Sequence, residues 1–569
     1  MHIDVVPNRD SRPAYLLRES FREGKRVRKR TLANLSSLSE AQILAIRAVL
    51  RGQSVRPVAS MFEAIASRSH GQVQALRVAM RRLGFESLIA ARPSRSRDLV
   101  CAMIAARVLA PHTKLATTRW WHTSTLAEEF SVTDADEDEL YGAMDWLLSR
   151  QGDIEKKLAS RHLRAGGLVL YDLSSSYFEG VCCPLAKRGY NRDGKKNKLQ
   201  VNYGLLTDPR GCPVSVSVYE GNTADCETLL PQVKRVREAF GIDTVVIVGD
   251  RGMISHQSVE ALRELEAVSW ITALKSVQIR CLLDAGSLQL GLFDERNLFE
   301  FTHPEFPKER LIACRNPELA KLRAHKRRDL LQATAVELQK VRAMVERKAL
   351  SGSDRIGLRV GRVVNKYKVA KHFDLQIEAN RFAFHLREDQ ITREAALDGI
   401  YILRTPVAAR EMDSAQVVRS YKSLAQVERA FRSMKTVDLK VRPIHHRLAD
   451  RVRAHILLCM LAFYIEWHLR EAWRALLFAD EDHQQAKAHR DPVAPAKRSA
   501  QALHKASTHT LPDGSPAHSL RTLLDELSTI VRNTCRIPEC AKSAPTFTIT
   551  TTPNPTQQRA LQLLDTIHV

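Results

Sequence analysis

Three carboxylates have addresses that the local sequence makes definite. Asp172 ends the run LVLYD at 168–172, Asp250 ends TVVIVGD at 244–250, and Glu428 sits inside YKSLAQVERAFRSMK at 421–435. The first two runs read as buried strands. A carboxylate at the end of a buried strand is held rigidly while its oxygens reach the crevice at the sheet edge. The third segment reads as a helix, which turns about 100° per residue. Leu424, Val427, Phe431 and Met434 then form one apolar stripe. Tyr421, Glu428 and Lys435, spaced by seven, drift only ~20° per step and line up along its rim.

Singly, each acid has an ordinary explanation. Aspartate is common in turns after strands, and Glu428 could pair with Arg432 one turn on. Jointly, two strand-end aspartates and a helix-edge glutamate compose an oxygen-only pocket. Such donors suit Mg²⁺ or Mn²⁺ and not zinc, which prefers His and Cys. Two such ions about 4 Å apart activate a water or a 3′-hydroxyl and stabilise the leaving oxygen of an in-line phosphoryl displacement.

Composition points to the substrate. The chain has 569 residues, with 87 Lys+Arg against 64 Asp+Glu, a net charge of +23. An excess of that size seeks a polyanion, most commonly nucleic acid. Residues 1–100 hold 19 basic against 8 acidic side chains, so the N-terminal region is the more basic part. The ten cysteines form no C-x-x-C pair, which argues against a zinc finger or ribbon and for reduced, cytosolic thiols. The N-terminus lacks an apolar signal core. The most apolar run, at 454–465, is too short to span a bilayer and reads as a buried helix. A soluble cytoplasmic protein without a membrane segment is expected.

The elements that must position the acids follow from periodicity. YLLRESFREGKRVRKRTLANL at 15–35 reads as a hairpin about Glu23-Gly24 that presents Lys25, Arg26, Arg28, Lys29 and Arg30. Helices are expected at 39–51, entered through a Ser37–Glu40 capping box, and at 71–84, 97–109 and 137–163. After Gly166-Gly167, strands at 168–172, 200–208 and 213–221 precede a helix at 226–240. A strand at 244–250, a helix at 256–266 and a strand at 269–275 complete a mixed α/β sheet. Residues 276–350 look charged and helical, 358–404 return to short strands, and 482–518 read as a polar linker.

The order strand-Asp, strand-Asp, helix-Glu resembles the DDE transposases of bacterial insertion sequences. In one branch the third acid lies in Y-x2-R-x3-E-x6-K, and Tyr421, Glu428 and Lys435 match that spacing. LVLYDLSSSYFEG (168–180), GLLTDPRGCPVSVSVYEGNTADCETL (204–229), VVIVGDRGMIS (245–255), DGIYILRT (398–405) and VRPIHHRLADRVRAHILLCMLAFYI (441–465) read like further blocks of that branch. So does the N-terminal hairpin, and the likeness covers most of residues 13–470.

The resemblance implies a ribonuclease-H-like mixed-sheet α/β catalytic domain with a β-rich insertion. A mainly α, basic DNA-binding region over 1–165 would precede it. The catalytic domain would occupy 166–275 and 405–475, the insertion 276–404, and an α-helical C-terminal region with a dimerisation role 476–569. Asp172, Asp250 and Glu428 would hold two Mg²⁺ or Mn²⁺ ions. Tyr421 and Lys435 would contact phosphates of the cleaved strand. The signature arginine is Leu424 here, so Lys422, Arg429 or Arg432 would supply its phosphate contact, Arg432 being the best placed. Lys25, Arg26, Arg28, Lys29 and Arg30 would track the backbone of the element's ends.

The implied activity is metal-dependent cleavage at the ends of an insertion sequence and transfer of the 3′-hydroxyls to target DNA. The protein would act as a homodimer on double-stranded DNA, at the nucleoid. Two rival readings keep the fold: a DNA-binding protein that has lost catalysis, and a metal-dependent nuclease without strand transfer. Some relatives stack a flipped base on a Trp of the insertion, but none of the six Trp lies within 276–404. Tyr367, Phe373, Phe382 and Phe384 are left as either stacking groups or core.

Overall fold

Gly24 occupies the first position of a two-residue hairpin turn at φ +66°, a conformation open to glycine at no steric cost. The turn joins β2 (Ala14–Glu23) to β3 (Arg26–Asn34), and β1 (His2–Val6) pairs on the other side of β2. This is the hairpin read from the sequence. In the computed structural model, residues 1–9, 12–53, 62–195, 197–286, 293–481, 491–537 and 546–568 are described.

The chain divides differently from the expectation. Met1–Arg68 and Val531–Thr552 form one unit, and Ser69–Ile530 with Pro553–Val569 form the other. The first unit is largely β. It contains the hairpin sheet, a helix at Glu40–Leu50, and β4 (Glu63–Ser69) in a second sheet with strands Val531–Arg536 and Phe547–Thr550. The helix starts at a Ser39–Gln42 capping box, two residues later than predicted. Within 1–165 helix outweighs strand, but the strands β1–β4 lie at 2–69 and most helices at 71–162, so the expected single region is corrected to two parts in different units. The helices at 71–162 bury Leu76, Phe85, Ile104, Leu147 and their neighbours in the main core of the second unit.

That second unit is built on one eight-stranded sheet. β5 (Leu168–Tyr177) pairs antiparallel with β6 (Gln200–Thr207), which pairs antiparallel with β7 (Pro213–Glu220). On its other edge β5 runs parallel to β8 (Val245–Val248), and β8 runs parallel to β9 (Val268–Ala273). Helices at Asp225–Lys234 and His256–Arg263 provide the crossovers. β10 (Leu298–Phe301) and β11 (Arg310–Arg315) lie within the expected insertion, as do the hairpin β12 (Phe373–Ile377)–β13 (Phe382–Leu386) and β14 (Ile400–Thr405). The full order is β10-β11-β14-β9-β8-β5-β6-β7, so the insertion extends the main sheet through three of its strands.

The insertion is not β-rich. Between β11 and β14 run helices at Pro317–Glu346, Ser353–Tyr367 and Glu388–Ala395. Ile356, Val360 and Val364, four apart and all buried, are the physical cause of the middle one: that period fits a helix face and not a strand. Phe373 and Phe382 are buried in the same small core, which removes them as exposed base-stacking groups.

The helix Ala449–Ala472 runs through the centre of the second unit, packed on β7 and on the helices at 95–109 and 137–149. At 24 residues it is long and apolar enough to cross a membrane, but its apolar stretch is 89% buried in protein. Of the polar linker expected at 482–518, residues 482–490 lie outside the described set. The remainder is partly packed: Val493 is buried, and its carbonyl accepts from Asn316 Nδ2 at 3.1 Å and Lys422 Nζ at 2.7 Å.

Candidate active site

The sheet register places the first two acids side by side. Leu170 on β5 is opposite Val248 on β8 in the parallel pair. Asp172 lies two residues further on within β5, and Asp250 two residues beyond the end of β8. Asp172 does not close its strand as expected, because β5 continues to Tyr177; only Asp250 follows a strand end. Leu173 N–H donates to Asp172 Oδ1 at 2.8 Å, which fixes the carboxylate.

Glu428 arrives on the helix Leu424–Arg432, which packs on β5. Leu424, Val427, Phe431 and Met434 are all buried, as the stripe predicts. The continuous helix expected through 421–435 is instead three pieces. Ser414–Lys422 ends at a turn on Ser423, Leu424–Arg432 follows, and a π-helical turn occupies Ser433–Val437. Glu428 is exposed and forms no hydrogen bond or ion pair among the described residues. The ordinary Glu428–Arg432 pair is not formed.

Electrostatics ties the three acids together. The Asp172 carboxyl is pushed up to about 7, chiefly by burial, with the charges of Asp250 and Glu428 adding to the rise. The Leu173 N–H and the Arg192 guanidinium act in the opposite direction. A group of like charges at a part-buried edge is stabilised by a hard cation. The donor chemistry thus fits Mg²⁺ or Mn²⁺.

The expected phosphate contacts have other partners. The Tyr421 hydroxyl donates to Asp250 Oδ1 at 3.3 Å, and burial followed by that carboxylate raises its pKa and keeps it protonated. Lys435 Nζ is buried 3.1 Å from Asp193 Oδ1, an oxygen that Arg442 also contacts. Neither Tyr421 nor Lys435 is presented as a free group. Arg432 ends the helix that carries Glu428. It lines a separate cavity of about 1230 Å³ with Arg210, Arg419, Arg429, Arg470 and Arg474, and none of the three carboxylates contributes to that wall. Burial, then Arg432, Arg474 and Arg470, hold the Arg429 pKa below its usual value.

Lys25, Arg26, Arg28, Lys29 and Arg30 lie on the exposed hairpin of the first unit. Arg28 pairs with Glu23 at 2.8 Å, Lys29 with Asp4 at 3.1 Å and Arg30 with Glu19 at 3.3 Å.

Four residues near the site escaped sequence reasoning: Arg192, Asp193, Asp225 and Arg442. Arg192 holds Asp225 at 2.6 Å, and Asp225 and Asp250 both approach Gly252. Asp225 within the block GNTADCETL and Arg442 within the block at 441–465 carried a local signal; Arg192 and Asp193 depend on long-range folding.

Residues 180–465 match the family model of the transposase DDE domain, and residues 3–58 match the N-terminal domain of IS1634 family transposases. No curated protein matches the chain. Among solved structures, a piggyBac transposase synaptic complex with hairpin DNA aligns over 80% of this chain and 77% of its own, at 9% identity and a TM-score of 0.32. The Mos1 transposase paired-end complex with left transposon end aligns over 34% of this chain and 66% of its own, at 11% identity and a TM-score of 0.15.

Proposed function

The chain belongs to the DDE transposase family, and from that premise we propose that it cleaves DNA at the ends of an insertion sequence and joins the freed 3′-hydroxyls to target DNA. Asp172, Asp250 and Glu428 are the residues proposed to hold two Mg²⁺ or Mn²⁺ ions. The observation that carries this reading is the geometry: Asp172 and Asp250 belong to the adjacent paths of β5 and β8, and the helix bearing Glu428 packs on β5. The order β7-β6-β5-β8-β9, antiparallel through the first three strands and parallel through the last, supports a ribonuclease-H-like core.

When bound, the ions supply an activated water or 3′-hydroxyl and charge stabilisation at the leaving oxygen. The chain's own groups prepare the place. Leu173 N–H and the Tyr421 hydroxyl orient the two aspartates. The buried stripe of Leu424, Val427 and Phe431 fixes the height of Glu428 over β5. The Lys435–Asp193–Arg442 cluster would engage a phosphate only if that pairing opened. Arg429 and Arg432, which form no ion pair among the described residues, offer backbone contacts in the arginine-lined cavity. The basic hairpin at 25–30 is proposed to track the element's ends, and a homodimer to hold two ends together.

The test uses labelled duplexes carrying the element's terminal sequence. Asp172→Asn, Asp250→Asn and Glu428→Gln should each abolish nicking and joining while gel-shift affinity survives. Full wild-type activity in EDTA would refute the proposal, and degradation without joined products would favour a nuclease.

A further inference from the structure

Away from the three acids, two imidazoles and a thiol converge in the second unit. His162 is the last residue of the helix Gln151–His162, Cys212 precedes β7, and His468 lies in the last turns of the long central helix. Cys212 Sγ stands 3.9 Å from His162 Nε2 and 4.0 Å from His468 Nε2. All three ligand atoms lie within 4.8 Å of one another. Cys212 is fully buried and His468 nearly so. His468 has no other hydrogen bond among the described residues, and a contact of 4.0 Å to sulfur is weak satisfaction for a buried ring nitrogen.

We propose that His162, Cys212 and His468 form a zinc site. A tetrahedral zinc with bonds of ~2.3 Å to sulfur and ~2.05 Å to nitrogen has S···N edges of about 3.6 Å. The observed separations of 3.9 and 4.0 Å exceed that by only a few tenths. A thiolate with two neutral imidazoles is a soft to borderline donor set, the opposite of the carboxylate cluster. The fourth position falls to a water or to the Tyr464 oxygen, which already stands 3.0 Å from His162 Nε2. Binding releases the Cys212 proton to solvent as the S–Zn bond forms. Coordination through Nε2 leaves the His162 proton on Nδ1, where Arg210 Nη2 now stands at 3.4 Å. That guanidinium then withdraws onto Asp208, its partner at 2.8 Å.

The site would clamp the turn 208–212 to two helices. Asp208 Oδ1 accepts from Cys212 N at 2.9 Å and from Arg210 N at 2.8 Å, so the turn is already shaped around the ligand. Gly211 of the same turn abuts Gln426 on the helix that carries Glu428. A metal here therefore props the helix behind the candidate active site without entering its chemistry. Cysteine spacing alone could not reveal it, because the ligands lie 50 and 256 residues apart.

Cobalt(II) titration of the metal-stripped full-length chain, with Mg²⁺ in large excess, tests this. Expected are a sulfur-to-cobalt charge-transfer band and intense tetrahedral d–d bands, saturating near one equivalent and displaced by zinc. Cys212→Ser should abolish the charge-transfer band, whereas Cys459→Ser, another buried thiol, should keep it. His468→Gln should weaken zinc binding by more than the ~10–100-fold typical of residues that only support ligands. Circular dichroism of each variant separates lost ligation from lost folding. Absence of the band in wild type, or its survival in a folded Cys212→Ser chain, overturns the proposal. Cobalt on the three carboxylates gives no sulfur band, so failure here leaves the transposition reading untouched.

Discussion

Asp172 carries a proton to an unusually high pH because burial, and then the charges of Asp250 and Glu428, oppose its ionisation. Its folded pKa of about 7 lies above the unfolded value of 3.8. Its contribution to stability is thus full below 3.8 and is lost as pH rises through 7. In EDTA at pH 8, Asp172→Asn should melt above wild type by on the order of 1 kcal/mol, and added Mn²⁺ should raise the wild-type Tm and not the variant's. By the same sign, metal binding near pH 6 releases a proton, so lowering pH from 8 to 6 slows cleavage at limiting Mg²⁺ and excess Mg²⁺ restores it. Tyr421→Phe removes one donor to Asp250. A net loss of about 1–1.5 kcal/mol, or roughly 5–13-fold in single-turnover rate, follows if that bond is kept in the transition state; equal rates would show that it is not. The strand end before Asp250 and the buried stripe beside Glu428 were legible because each is set by local sequence. The partners of Tyr421 and Lys435 were not, since Asp250 and Asp193 lie 171 and 242 residues away.

The helix bearing Glu428 depends on its neighbours as much as on its own stripe. Gly211 has φ +88°, and a Cβ there would stand 2.7 Å from Gln426 Cβ. Gly211→Ala should therefore cost about 1–3 kcal/mol and reduce cleavage more than DNA binding, checked by thermal melting beside a gel-shift titration. Element boundaries in the sheet were readable, since strands at 200–208 and 213–221 and the helix at 256–266 lie within two or three residues of those observed. The insertion was less so. Its resemblance-based β content hid the four-residue period of Ile356, Val360 and Val364. The break at Ser423 was also unreadable, because nothing in YKSLAQVERAF interrupts a helical pattern.

The whole molecule carries +23, and each unit holds a basic group of its own: the 25–30 hairpin in one and the arginine-lined cavity in the other. Replacing Arg429 and Arg432 by Ala should weaken duplex binding irrespective of sequence and lower the salt dependence of log K by about 2; an unchanged slope would remove the cavity from the DNA path. Sequence alone indicated the basic N-terminal region but not the return of residues 531–552 to it, because pairing between chain ends leaves no local pattern. The account as a whole rests on one site. Anomalous diffraction from crystals of the DNA complex grown with Mn²⁺ tests it most directly. Two peaks about 4 Å apart, held by the carboxylates of Asp172, Asp250 and Glu428, are predicted. Manganese bound elsewhere in a complex that still cleaves, with those three carboxylates unligated, would contradict it.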